Sequence, residues 1–255
     1  MSSESPFFDS QFPTPDSQQE NLAALEAKIV SCRRCPRLVE WREKVASEKR
    51  AAYSSETYWG RPVPGFGDPE AKVVILGLAP AAHGANRTGR FFTGDRSGDF
   101  LFAALHRARF ANRPVSRHRE DGLHLSGAWI SAAVRCAPPQ NRPTPSERDA
   151  CLPYAARELE LLKAQVVVCL GAFAWDASLR IFEFSPKPRF AHGAEVPAGG
   201  VTLLGCYHPS QQNTFTGVLT PAMLEAVLLR ARSLAARNRR SHRIESAGVG
   251  STRPG

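Results

Sequence analysis

No run of eighteen apolar residues occurs anywhere in the 255-residue chain, so no stretch is long enough to cross a bilayer as a helix. The N-terminus, MSSESPFFDS, has neither a charged leader nor an apolar segment behind it. That argues against a secretory signal and for the cytosol. No glycine spacing matches a P-loop or a dinucleotide fingerprint, which excludes those modes of polyphosphate binding. No cluster of carboxylates suits a pair of magnesium ions, which disfavours a two-metal nuclease. Lysine is scarce beside arginine, and no internal repeat is present.

What is present is a basic, ordinarily apolar chain. The net charge of +9 favours a polyanionic partner, nucleic acid first. A codon bias toward arginine is the blander explanation. The length predicts one core with tails: a Ser/Pro/Asp-rich N-terminal tail over 1–16, a domain over 17–236 and a flexible basic tail over 237–255. Leu22, Leu25, Ile29 and Val30 recur at helical spacing, predicting a helical region over 17–48 interrupted at Pro36. Strands are expected at 72–77, 128–134, 166–170 and 201–206. Helices are expected after Ser97 or Asp99, from Thr144 or Ser146, over 171–182, and from Pro221 to about Ala236. Residues 109–126 read as a surface excursion. Strands alternating with helices imply a single-domain, three-layer α/β/α fold around a mostly parallel four-stranded sheet. Should the first and fourth strands be neighbours, His83 and His208 overlook one crevice.

The stretch GLAPAAHGANRTGRFFTGD, residues 77–95, follows the apolar run Val73-Val74-Ile75-Leu76. A buried strand opening into such a loop places backbone amides at the carboxyl edge of a sheet, where ligands bind in open α/β folds. The small residues leave space, and a phenylalanine offers a flat face. The loop reads as a pocket for a flat, neutral ligand with polar edges. Each feature has a plainer reading beside it: Asp95 as a helix cap, Phe91 and Phe92 as core, His83 as a loop brace and His208 as a strand-end histidine.

The six cysteines divide in two. Cys169 and Cys206 lie in apolar strand-like runs and read as core residues. Cys32-x2-Cys35 and Cys136-x14-Cys151 lie in polar, turn-rich places, and four thiolates suit zinc or an iron–sulfur cluster on ligand grounds. The second spacing is too long for a zinc knuckle, which favours a cluster over zinc; four unrelated thiols is the plain alternative. A helical pattern upstream disfavours a redox C-x-x-C.

Three stretches, GLAPAAHGANRTGRFFTGD, RCAPPQNRPTPSERDAC and YHPSQQNTFTG, together with these four cysteines and in this order, resemble the family 5 uracil-DNA glycosylases over about residues 30–230. The resemblance implies a 4Fe–4S cluster held by Cys32, Cys35, Cys136 and Cys151 in a structural role. It implies a monomer that removes uracil, hypoxanthine, xanthine or ethenocytosine from double- and single-stranded DNA, with no membrane partner. By the same resemblance, Phe92 stacks on an extruded base and His208 lies near its carbonyl. Asp95 positions water or stabilises the sugar cation, and Asn141 is a further candidate contact. Gly77, Ala79, Ala81 and His83 line the base pocket. Arg87, Arg90 and the C-terminal arginines are expected on phosphates, and Ser210, Gln211, Gln212, Asn213 and Phe215 on DNA.

Departures from related families carry expectations of their own. Leu78 and Ala79 stand where families 1 and 4 carry an acid, so the water-activating base is not the usual one. Ser131-Ala132-Ala133 lacks the asparagine with which family 4 reads uracil, and losing such an amide relaxes discrimination among bases. Gln212 stands where family 1 has a leucine wedge, leaving Phe215 or the Gln211–Gln212 pair to fill the vacated stack. No lysine lies in the three motifs, which predicts a glycosylase without lyase activity. The competing reading is a noncatalytic iron–sulfur DNA-binding protein that keeps the fold.

Overall fold

The computed structural model describes residues 15–248; the expected N-terminal tail up to residue 14, and residues 249–255, lie outside the described residues. Its strands are β1 (Phe66–Gly67), β2 (Val73–Gly77), β3 (Ala128–Ala132), β4 (Val166–Leu170), β5 (Glu195–Ala198) and β6 (Val201–Cys206). They form one sheet in the order β1-β3-β2-β4-β6-β5. The four expected strands make its parallel centre, and two short antiparallel strands extend the edges. The sheet is therefore six-stranded rather than four-stranded. β1 is only two residues long and lies between prolines and glycines. β5 joins β6 through Gly199-Gly200, both at positive φ, a two-residue hairpin turn that needs little sequence to specify it.

The helices are α1 (Pro15–Val30), α2 (Pro36–Glu48), α3 (Ala85–Thr88), α4 (Arg96–Arg107), α5 (Pro145–Leu161), α6 (Ala172–Ile181), α7 (Gln211–Phe215) and α8 (Pro221–Gly248). The last runs past Ala236, the end expected from the sequence. Strands β2, β3 and β4 are buried on both faces, which is why they read as continuous apolar runs. Val73, Ile75, Val166 and Val168 face a core layer with α4 and α8. Val74, Leu76, Val167 and Cys169 face the other layer, with α1, α5 and α6. Cys169 and Cys206 are fully buried core residues. Among the described residues no helix is long and apolar enough to cross a membrane.

The region 109–126 is tied in more firmly than a surface excursion. Ala111 bridges Leu125, and Leu123, Leu125 and Ser116 are buried. Asp121 pairs with Arg90 at 2.7 Å, both side chains almost fully enclosed. On the opposite layer, Arg135 grips Glu158 with two bonds of 3.0 and 2.6 Å, and the same carboxylate accepts from Ser131 Oγ and the Gly65 amide. Removing one member of a buried pair leaves an uncompensated charge, so this cluster locks the end of β3 to α5.

Helix α5 begins with a capping box. Thr144 Oγ1 accepts from the Glu147 amide, and Glu147 accepts from the Thr144 amide at 2.7 Å. Glu147 also accepts two bonds from Arg37 on α2, at 2.8 and 2.7 Å. Thr144→Ala is expected to cost about 1 kcal/mol, lowering the melting temperature by about 2–4 °C. Thr144→Asn, which keeps a capping oxygen, is expected to hold the parent's value; thermal melts of the two variants check this.

Candidate active site

β2 and β6 are not neighbours, because β4 lies between them. Their loops nevertheless meet, for a reason found at the end of β4. Gly171 sits at φ +91°, and a Cβ placed there would stand 3.2 Å from the Cβ of His208. Its amide donates to the Cys206 carbonyl at 2.7 Å. The missing side chain lets the chain after β6 cross the top of β4 and reach the loop after β2. The two loops enclose a cavity of about 490 Å³ at the carboxyl edge of the parallel strands. Gly77, Ala79, Ala81, Phe92, Asp95, Asn141, His208, Ser210, Gln211 and Gln212 line it, which brings ten of the residues singled out in the sequence into one place.

Gly77 and Ala132 end β2 and β3 side by side, and both face the cavity. Phe92, at φ +52°, lays its ring against Gly77, where a Cβ would stand 3.0 Å from the ring edge. Phe91 is buried in the core beneath the same loop. The Phe92 ring centre lies 6.1 Å from that of His208, tilted by 37°. Asn141 also takes a left-handed conformation, φ +56°, one that asparagine tolerates better than most residues, and this turns it toward the cavity. Ser131 points to the opposite layer and Glu158, so the wall beside Gly77 is the methyl group of Ala132.

Asp95 is both a cap and a cavity residue. Its Oδ1 accepts from the Gly98 amide at 2.9 Å, starting α4, and its other oxygen lies against Gly84, where no side chain fits. Burial is the leading cause that pushes its pKa above the ordinary aspartate value. The Gly98 and Ser97 amides oppose the shift and the Asp99 charge adds to it. The His208 imidazole keeps some accessible surface, yet it lies deep in the protein, and burial pulls its pKa down to about 4. The imidazole is therefore neutral at physiological pH. Among the described residues no protein group hydrogen-bonds its ring, whose nitrogens are left for a ligand. Asn213 Nδ2 donates to the His208 carbonyl at 2.8 Å, and Ser210 caps α7 by accepting from the Asn213 amide. Asn213 thus holds the loop from behind and does not line the cavity.

As with Asn213, four more expected site residues lie outside the cavity lining: His83, Arg87, Arg90 and the exposed Phe215. His83 turns out of the cavity, its Nδ1 3.0 Å from the Tyr58 hydroxyl; it braces the loop. Arg87 is buried, donating to the Glu56 carboxylate and to the carbonyls of His83 and Gly94. Arg90 is buried against Asp121, Ser116 and Thr93. Both arginines spend their donors inside the protein, because the loop they follow needs internal ties. Neither is available to a phosphate. Among the described residues the cation at the cavity is instead Arg96, the first residue of α4, which charge counting along the chain did not single out.

The four spaced cysteines also meet. Cys32 and Cys35 occupy the link between α1 and α2, Cys136 follows β3, and Cys151 lies on α5. All four border one small apolar cavity with Leu38, Val134 and Tyr154. Among the described residues no three ligand-type side chains close on a single point as in a one-metal site; the thiols ring a space instead. Burial pushes Cys136 up to about 12 and Cys151 up to about 11, so thiolates there need a cationic centre to hold their charge. The Arg135 amide donates to the Cys151 sulfur at 3.3 Å. Four thiols around one space, two of them buried and two half-buried, are a donor set of the kind an iron–sulfur group takes.

Comparison with known proteins gives the same family from outside the geometry. Residues 64–232 match the family model described as the uracil DNA glycosylase superfamily. The chain is 56% identical over 220 residues to the type-5 uracil-DNA glycosylase of Mycobacterium tuberculosis, covering 84% of this chain and 82% of that one. It is 52% identical over 210 residues to the type-5 enzyme of Thermus thermophilus, covering 81% and 95%. Against the type-4 uracil-DNA glycosylase of Archaeoglobus fulgidus the identity is 30% over 197 residues, covering 75% and 82%. The identity is far higher to the type-5 than to the type-4 enzymes, and this chain belongs to the uracil-DNA glycosylase superfamily, on its type-5 branch.

Proposed function

We propose that the protein is a monofunctional glycosylase that hydrolyses the N-glycosidic bond of uracil in DNA. Its range extends to hypoxanthine, xanthine and ethenocytosine. The observation that carries the reading is the pairing of one carboxylate, Asp95, with one neutral imidazole, His208, across a single cavity walled by Phe92. Chemistry on a base requires the nucleotide to leave the stack. The bond from C1′ to the base nitrogen breaks with its electron pair leaving on the base, and water adds its oxygen to C1′. Positive charge grows on the sugar and negative charge on the base. The Asp95 carboxylate stabilises the first and takes up a proton from water. An N–H of neutral His208 donates to the base oxygen, and Phe92 supplies a stacking face.

The breadth of the range rests on Ala132, whose methyl group stands on the cavity wall where an amide would discriminate. No lysine lines the cavity, in keeping with simple hydrolysis and no Schiff base. The test is base release by the anaerobically purified protein from duplexes and single strands carrying uracil, hypoxanthine or ethenocytosine. Release of free base, with strands cut only by later alkali, supports the reading. Tight DNA binding without release would replace it with the noncatalytic one.

We further propose that Cys32, Cys35, Cys136 and Cys151 hold a 4Fe–4S cluster, which when bound supplies a cationic crosslink between the α1–α2 link, β3 and α5. The purified protein is expected to contain four irons and four sulfides per chain with broad visible absorption. Cys136→Ser is expected to lose both and to melt at lower temperature. One zinc per chain in the parent would overturn this.

A further inference from the structure

Of the arginines near the cavity, most are already engaged. Arg87 and Arg90 are enclosed by their own partners, and Arg135 is locked to Glu158. Arg96 differs on three counts. Among the described residues it is the one cationic side chain lining the cavity. It is exposed, and no carboxylate among the described residues pairs with it, although Asp95 and Asp99 are near in sequence. Its guanidinium instead lies 5.4 Å from the ring centre of Phe215, a phenylalanine 69% exposed at the end of α7. An exposed cation on an exposed aromatic is weakly held and is readily exchanged for a stronger partner. Backbone placement is firm at both ends: Asp95 fixes the start of α4, and Ser210 fixes the start of α7.

We propose that Arg96 is the phosphate-binding residue at the cavity mouth. On this assignment its guanidinium leaves the Phe215 ring for the phosphodiester flanking the extruded nucleotide. A planar guanidinium suits two phosphate oxygens at once, and the uncovered ring is then free to stack in the gap. The assignment rests on the DNA substrate proposed above. It moves the phosphate contact from the enclosed Arg87 and Arg90 to a residue that lines the same cavity as the carboxylate and the two glutamines.

The test is affinity for a duplex, and for the matching single strand, carrying a tetrahydrofuran abasic analogue, measured at 50 and 200 mM salt. Parent, Arg96→Gln, Arg96→Lys and Phe215→Ala are compared. An exposed residue without an ion pair is replaced with little effect on stability, so Arg96→Gln is expected to melt with the parent. It is expected to bind both strands about tenfold more weakly at low salt. Losing one phosphate contact makes the fall in affinity between the two salts about threefold smaller. Arg96→Lys is expected to restore the salt dependence. Phe215→Ala is expected to keep the parent's salt dependence while weakening the duplex more than the single strand. An Arg96→Gln protein with unchanged salt dependence, or a Phe215→Ala protein that reproduces the Arg96→Gln loss, would overturn the assignment. A parent that binds neither strand would overturn the DNA substrate itself, and the parent rather than the variant would show it.

Discussion

Asp95→Asn is expected to slow single-turnover base release by about 10²–10³, the scale seen when one preorganised electrostatic group is removed, without loosening the fold. Asparagine caps helices as well as aspartate does, so the bond from the Gly98 amide survives the change. Stability should not fall. The folded protein raises the carboxyl's pKa, so it holds that proton more tightly than the unfolded chain does. Ionising the group at neutral pH therefore costs stability, and the neutral amide removes that cost. The melting temperature at pH 7 should equal or exceed the parent's. The pH profile supplies a second check. The proposed mechanism uses the carboxylate, so on it the parent's rate should fall as pH drops through a value above the ordinary aspartate range, and the variant should lack that acid limb. Parent-like release by Asp95→Asn would remove the carboxylate from the mechanism.

On the proposed mechanism the departing base loses its donor in His208→Ala, which is expected to lower release by a similar factor, about 10²–10³. The neutral imidazole makes a further prediction. With a pKa of about 4 in the folded state, no inflection near the usual histidine value should come from this residue in the rate profile. Stability carries its signature instead. Between pH 6.5 and about 4 the unfolded chain takes up a proton that the folded protein does not. Stability therefore falls as pH falls through that window, by about 3 kcal/mol in total. His208→Asn should flatten this part of the stability curve relative to the parent. A variant whose urea midpoint keeps the parent's slope from pH 6.5 to 4 would place the imidazole in contact with water.

The central strands were legible because they are buried on both faces and so carry unbroken apolar runs, as in Val166-Val167-Val168. The edge strands were not. β1 is two residues long, and β5 alternates exposed and partly buried positions among prolines and glycines. The meeting of the four cysteines was suggested by spacing, yet it depends on Arg37 joining α2 to α5 through Glu147, a contact between residues 110 positions apart. The arginines show the limit most clearly. Arg87, Arg90 and Arg96 share one loop and its exit, and nothing in their order tells an internal tie from a rim cation. Burial decides it, and burial is set by Glu56, Asp121 and Ser116 arriving from other parts of the chain.

By itself, the amino-acid sequence determined the family, the parallel centre of the sheet and most of the residues that line the candidate site. Those features live in local pattern: apolar runs, glycine-bearing loops and motifs in fixed order. Tertiary structure alone decided which of those residues share a cavity. His83 leaves it for Tyr58, and Asn213 supports it from behind. His208 reaches it across an intervening strand because Gly171 has no side chain to stop it. Such outcomes turn on close approach between distant segments, where a single Cβ or a single buried charge settles the arrangement.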